Sequence, residues 1–352
     1  MNPIIYNGKK IIKIEKTSPG LFLTWLLNNI CTYHCSYCPE IVHGGKNHHY
    51  DWKHVKPFLD RCFEKFSYVH CSLSGGEPTV SPFFKDLVDT IYDKGGTVHV
   101  TTNLVRSWDY WKDIAYKFCS ISVSYHSEFV ISEEEEDEFI DKLSKLSHKS
   151  YVTLRIMMHP RNWDRCVRMY EKALLASEPF TIEVVRILPD FGTGINYFDA
   201  SYTDEQLDFL KNTPIVFGDP KLKKLTNHRM NKTKSNVLYD DGSQEFFSLN
   251  IQSDLEKTKS NNFFGWECSI GLESLFVLHD GRVQRANCEV GGHLGNIVTG
   301  FDWPKEKIIC NKNICHCAAD VIITKESRSD RVHALNRACQ ILKEKFTLEE
   351  IK

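Results

Sequence analysis

Between about residues 20 and 190, short runs rich in β-branched and apolar residues alternate with longer segments whose apolar positions recur at helical intervals. The runs are LFLTWLLN (21–28), SYVHCSLS (67–74), TVHVTTN (97–103), CSISVSY (119–125), YVTLRIM (151–157) and TIEVVRIL from about residue 180. Between them lie DWKHVKPFLDRCFEKF, SPFFKDLVDTIYDKG, SWDYWKDIAYKF, EEEEDEFIDKLSKL and NWDRCVRMYEKALLA, several opening on acidic or capping residues. This alternation predicts an α/β fold with a parallel sheet, a partial (β/α)6 TIM-like barrel two units short of closure. The acidic run 133–137 reads as the solvated first turn of a helix, where negative charge suits the helix dipole.

After Asp190 the alternation stops, and residues 216–236 are polar and basic. They read as a linker or insertion, although Lys221, Lys223, Lys224, Arg229, Lys232 and Lys234 could also meet an acidic leader or a phosphorylated substrate. From 244 the chain becomes β-rich, with SLFVLHDGRVQRANC (274–288) predicting a hairpin around the turn dipeptide Asp280-Gly281. A basic helix is expected near 329–345. The expected organisation is an N-terminal extension (1–19), the barrel (20–200), a linker or insertion (201–260), a small hairpin-containing domain (261–325) and a C-terminal helix (326–352).

At 352 residues and 41% hydrophobic content, the chain can build a large core and a smaller one. A formal net charge of −2 argues against binding nucleic acid or an anionic membrane by bulk electrostatics. No apolar run approaches the roughly eighteen residues of a membrane span, and the N-terminus does not read as a signal peptide. A cytoplasmic protein is therefore expected. Thirteen cysteines in a reducing compartment do not suggest a disulfide framework, and an odd number cannot pair within one chain. Metal ligation accounts for them better.

Three of these cysteines, Cys31, Cys35 and Cys38, fall in CTYHCSYC, just after the first predicted strand, at the end where barrels place their chemistry. Structural zinc sites are usually closed by four ligands. Three thiolates on a four-iron four-sulfur cluster leave one iron open to a substrate or cofactor. The segment resembles the CxxxCxxC signature of the radical S-adenosylmethionine (radical SAM) enzymes, including the aromatic Tyr37 before the third cysteine. LSGGEPTV, after the second strand, supplies the matching segment Gly75, Gly76, Glu77 and Pro78.

The resemblance covers about residues 20–190. It implies that the whole segment Gly75, Gly76, Glu77 and Pro78 binds the cofactor and holds the amino group of its methionine moiety. It further implies that Asn103, beside Thr102 at the end of the third strand, contacts the cofactor. Ser124 is implied for the ribose or carboxylate, Arg155 for the carboxylate, and Ile187 and Leu188 for the adenine. The fourth-strand sequence SVSYHSE, carrying Ser122, Ser124 and His126, departs from the Ser-x-Asp-Gly type of many relatives, which leaves the contacts of that strand open. The implied chemistry is reductive cleavage of S-adenosylmethionine to a 5′-deoxyadenosyl radical that abstracts a hydrogen atom, fed by a reductant such as flavodoxin or ferredoxin. No catalytic side chain is implied.

Cys268, Cys288, Cys310, Cys315 and Cys317 form a second group. Their layout resembles the twitch form of the SPASM extension, without the further cysteines of the full pattern, and implies one auxiliary four-iron four-sulfur cluster. Cys268 and Cys288 with two of the other three would hold it; a structural zinc site is the alternative. Cys62, Cys71, Cys119, Cys166 and Cys339 occupy apolar positions and read as buried small hydrophobes.

Such a chain is expected to modify a ribosomally made peptide by epimerisation, crosslinking or oxidation. The alternative is a small-molecule enzyme acting on a sugar, nucleoside or modified nucleotide, which the short stretch of thirty residues before Cys31 favours, because many peptide maturases carry a leader-binding domain there. A non-catalytic iron–sulfur or zinc module is disfavoured by the two cofactor motifs lying together in one half-barrel.

Overall fold

The computed structural model describes residues 3–18, 20–176, 179–189, 198–218, 232, 234–247, 251–315 and 317–328. The expected helix near 329–345, Cys339 and the basic residues Lys221, Lys223, Lys224 and Arg229 lie outside the described residues.

Six strands, β1 (Leu21–Leu26), β2 (Val69–Ser74), β3 (Thr97–Thr102), β4 (Phe118–Tyr125), β5 (Val152–Met158) and β6 (Thr181–Arg186), pair in parallel and in sequence order. Helix α1 (Trp52–Lys65) follows β1, α2 (Phe84–Asp93) follows β2, α3 (Glu133–Ser147) follows β4 and α4 (Trp163–Leu175) follows β5. This is the predicted partial barrel. The strands alternate in character. Val98, Val100, Ile121, Val123, Leu154 and Ile156 join the buried core shared with the helices. Their polar neighbours bond across strands instead, as in His99 to Ser120 (2.8 Å) and Arg155 to Glu183 (3.0 Å).

Two local expectations change. SWDYWKDIAYKF forms a single α-turn at Trp108–Trp111 and a 3-10 turn at Ala115–Lys117, not one helix. Its buried residues Trp111, Ile114 and Ala115 still face the core, and Trp111 packs on Phe118 at 5.9 Å. The acidic run 133–137 does open α3, capped reciprocally by Ser132 and Glu135. Glu136, however, is fully buried, not solvated, because the Arg168 guanidinium reaches both its oxygens at 2.8–3.0 Å and ties α3 to α4.

The sheet continues past β1. Ser274–Val277 pairs in parallel with it, Ser274 opposite Phe22 and Val277 opposite Trp25, and then turns through Asp280-Gly281, with Gly281 at φ +83°, into Arg282–Gln284. His293–Asn296 and Gly300–Phe301 complete the ten-stranded sheet.

A second, antiparallel sheet runs in the order Gln244–Phe247, Ser235–Tyr239, Lys9–Lys16, Lys325–Glu326, Glu267–Cys268, Ile308–Ile309. The N-terminal strand Lys9–Lys16, with Ile5–Tyr6 paired to it, thus sits inside a sheet whose other strands come from the last third of the chain. Its Ile11 and Ile14 pack with Val237, Tyr239 and Phe263 in a second core, against which Cys288, Cys310, Cys315 and Cys317 lie.

His70 on β2 is buried, with Phe22 4.7 Å away and Thr97 Oγ1 2.9 Å from its Nδ1. Burial lowers its pKa to about 3, and burial together with the nearby Arg155 lowers that of His99 to about 4. Below the ordinary histidine pKa the unfolded chain takes up protons that the folded chain refuses. Stability is therefore complete above that pKa and falls as the solution is acidified towards the folded values. Lowering the pH from 7 to 5.5 should cost about 1 kcal/mol from His70 alone. Urea unfolding of the metal-free protein and of His70→Gln at both pH values checks this, the variant losing less on acidification.

Candidate functional site

The strand β1 ends at Leu26, and Asn28 then shapes the turn that follows. Its Oδ1 accepts from Ile30 N (2.8 Å), while its Nδ2 donates to Glu77 O (3.1 Å) and Ser81 Oγ (2.7 Å). The cysteine loop is thereby tied to the GGEP turn, and Gly76 N and Glu77 N donate back to Asn28 O and Ile30 O. A Cβ on Gly75, which sits at φ +138°, would lie 2.4 Å from Asn28 O, and one on Gly76 would lie 2.2 Å from Ile30 O. The two glycines are required first by the contact between these loops, and they also line the cavity beside them.

That cavity, about 410 Å³ in volume, opens at the carboxyl end of the barrel strands. It falls in the size range of roughly 300–1,000 Å³ typical of cofactor and small-molecule pockets. Cys31, Cys35 and Cys38 form one wall with Tyr37. Asn103, Ser124, Arg155 and Leu188 form others, Leu188 at the exposed rim. The pairing register sets Ser124 beside Arg155 and Arg155 beside Glu183, whose carboxylate holds the guanidinium Nε at 3.0 Å. Asn103 Nδ2 donates to Thr32 Oγ1 (3.2 Å) and lies 3.8 Å from Cys31 Sγ.

Glu77 and Pro78 stand behind this lining. Pro78 begins a 3-10 turn for which Glu77 is the cap. The Glu77 carboxylate is buried and accepts from Thr79 N (3.1 Å), Thr79 Oγ1 (2.6 Å), Thr102 Oγ1 (2.8 Å) and Asn103 N (2.8 Å). Burial raises its pKa, and these four donors pull it back.

His126, mentioned in the sequence only as a strand-end residue, is central here. Its Nδ1 faces Tyr37 OH and lies 3.4 Å from Cys35 Sγ, and burial lowers its pKa to about 4, so the ring is neutral at neutral pH. Tyr33, stacked on Phe129 at 4.5 Å, also lines the cavity. No motif marked it.

Four of the second-group cysteines, Cys268, Cys288, Cys310 and Cys315, line one small space with Phe263, Asp320 and Lys325. The space is about 20 Å³, room for little more than a water, and the exposed Ile314 lies in its wall. Cys317 is not in this lining and precedes the short helix Ala318–Val321 as its N-cap. Lys325, a lone lysine after the apolar run VII, was missed by sequence reasoning, and its only signal was a charge at an inward strand position. Among the described residues, no three Cys, His, Asp or Glu side chains converge as they would around a single metal ion.

Burial pushes the thiols up, Cys35, Cys38 and Cys288 to about 12 and Cys317 to about 11, with Cys31, Cys268 and Cys315 also raised. Metal-free, these groups are protonated at neutral pH, and ligation would have to displace the protons. Cys62, Cys71, Cys119 and Cys166 are buried in the protein as small apolar groups.

Residues 25–173, which hold the cysteine loop and the glycine turn, match the model of the radical SAM superfamily. No curated protein sequence matches the chain. Among solved structures it is similar to SuiB of Streptococcus suis bound to S-adenosylmethionine, at 12% identity and TM-score 0.46, over 80% of this chain and 64% of that one. It is also similar to anSMEcpe with bound AdoMet and a Kp18Cys peptide, at 14% identity and TM-score 0.47, over 80% and 79% of the two chains. The chain therefore spans less than two thirds of SuiB. Among the described residues no helix is long and apolar enough to cross a membrane.

Replacing Glu77 by Gln puts an amide N–H₂ against donors at a fully buried position. Glu77→Gln should lower the unfolding free energy of the metal-free protein by about 1–3 kcal/mol. Urea denaturation monitored by circular dichroism checks this.

Proposed function

We propose that this chain is a radical SAM enzyme that abstracts a hydrogen atom from a residue of a peptide substrate. The observation that carries the reading is the convergence of Cys31, Cys35 and Cys38 with the Gly75–Gly76 turn on one 410 Å³ cavity. The donor set fits a four-iron four-sulfur cluster held by three thiolates, with one iron left for the amino and carboxylate groups of S-adenosylmethionine. When bound, this pair supplies the electron transfer that yields methionine and a 5′-deoxyadenosyl radical.

The chain's own residues position and shield. Gly75 and Gly76 offer backbone to the amino group. Arg155, oriented by Glu183, and Ser124 face the carboxylate and ribose side, Asn103 holds the Cys31 loop beside them, and Leu188 covers the adenine. Tyr37 and Ile187, both buried, keep water from the thiol wall. A low-potential protein such as flavodoxin or ferredoxin supplies the electron, and the unpaired thiols suit a reducing cytoplasm.

Cys268, Cys288, Cys310 and Cys315 are the proposed ligands of an auxiliary four-iron four-sulfur cluster, with Cys317 outside the set. This second thiol site, resembling the twitch domains of peptide-modifying enzymes, supports a peptide substrate and an oxidation, crosslink or epimerisation as the outcome.

Anaerobically reconstituted protein should hold about eight irons, and the combined change of Cys31, Cys35 and Cys38 to Ala should leave about four. Cys317→Ala should keep the wild-type iron content, whereas Cys315→Ala should lose auxiliary iron; iron assay with Mössbauer spectroscopy distinguishes them. Stoichiometric zinc with about four irons would sink the auxiliary assignment.

With dithionite and S-adenosylmethionine, the enzyme should form 5′-deoxyadenosine and methionine, measurable by chromatography. Peptides encoded beside its gene should raise that rate. S-adenosylhomocysteine without 5′-deoxyadenosine would reject the reading.

A further inference from the structure

Lys325 is 2% exposed and belongs to the second sheet, where the strand register sets it opposite Cys268. Its Nζ donates to Asp320 O (2.6 Å) and Val321 O (2.9 Å) and lies 4.0 Å from Cys315 Sγ. The ring of Phe263 is 4.7 Å from the ammonium. Two carbonyls and an aromatic face satisfy hydrogen bonds but do not neutralise the charge, and an unpaired charge in an apolar enclosure is costly.

The groups that can balance it line the same small cavity: Asp320, 4% exposed, whose Oδ2 accepts from Cys288 N at 3.3 Å, and the four thiols. Thiolates bound to a cluster carry net negative charge, and one-electron reduction of the cluster adds one more. A fixed ammonium beside a ligand sulfur therefore favours the reduced form, and the Asp320 carboxylate opposes it.

Resting on the reading of these thiols as an iron–sulfur site, we infer that Lys325 is the built-in counter-charge of that site: it holds Cys315 facing the cavity and raises the reduction potential of the group bound there. The electron acceptor that such a setting serves is a substrate-derived radical or an external one-electron carrier. Lys325 touches neither, so it acts as a positioning residue.

The test uses the full chain with Cys31, Cys35 and Cys38 changed to Ala, so that only the second site is loaded, titrated with dithionite and followed by electron paramagnetic resonance. In that background Lys325→Met should retain iron and shift the midpoint to more negative potential by a tenfold change in the reduction equilibrium, about 59 mV for one electron. Lys325→Arg should largely restore the parent midpoint, and Asp320→Asn should shift it in the opposite sense.

An unchanged midpoint in an iron-loaded Lys325→Met overturns the inference. Should Lys325→Met not fold, the Lys325 parent labelled with ¹⁵N at lysine should show a weakly coupled ¹⁵N nucleus in pulsed resonance of the reduced site, and its absence overturns the inference equally. A parent protein that binds zinc or no iron at the second site would instead overturn the cluster reading on which the inference rests.

Discussion

One buried carboxylate holds the barrel mouth together. Glu77 accepts from the turn that follows it, through Thr79, and from the end of β3, through Thr102 and Asn103. Its own backbone N–H donates to Ile30, next to the first cysteine. Three chain segments that are remote in sequence are thus fixed to one point. Because the acceptor is buried and the donors aimed at it come from the protein, the geometry of the barrel mouth is set by the chain itself. The glycines beside Glu77 extend the same logic, since the backbone of the cysteine loop occupies the space where their side chains would stand.

The barrel was legible because its signals are local. Period-two strands such as TVHVTT and FCSISVSY, separated by amphipathic helices, admit few other folds, and the cysteine and glycine motifs sit at strand ends where the topology brings them together. The cavity wall formed by Ser124 and Arg155 follows from strand order alone, because neighbouring parallel strands set them side by side. What stayed hidden depends on contacts across long distances. Nothing in KKIIKIEK announces that it will pair with Ser235–Tyr239 and Lys325–Glu326, since any amphipathic strand would read the same. Glu136 was misread for a related reason: a carboxylate in an acidic run looks solvated until the arginine of the next helix is seen to cover it.

Electrostatically, the two thiol sites differ in their companions. At the barrel mouth the thiol wall includes a depressed histidine and aromatic rings, while Arg155 and Arg186 bring charge to the same cavity and Glu128 accepts from Ser36 N in the cysteine loop. The second site includes a buried ammonium and a buried carboxylate in its lining.

The parallel pairing of Ser274–Val277 with β1 has a consequence for biosynthesis. Until the last quarter of the chain leaves the ribosome, β1, the apolar LFLTWL, presents an unpaired edge. A nascent barrel therefore waits, half finished, for a distant segment to seal it, and contacts of that sequence separation form slowly. An exposed edge of this kind favours self-association until it is covered. The same strand that covers the edge of the folded sheet sets the moment at which the polypeptide ceases to be sticky.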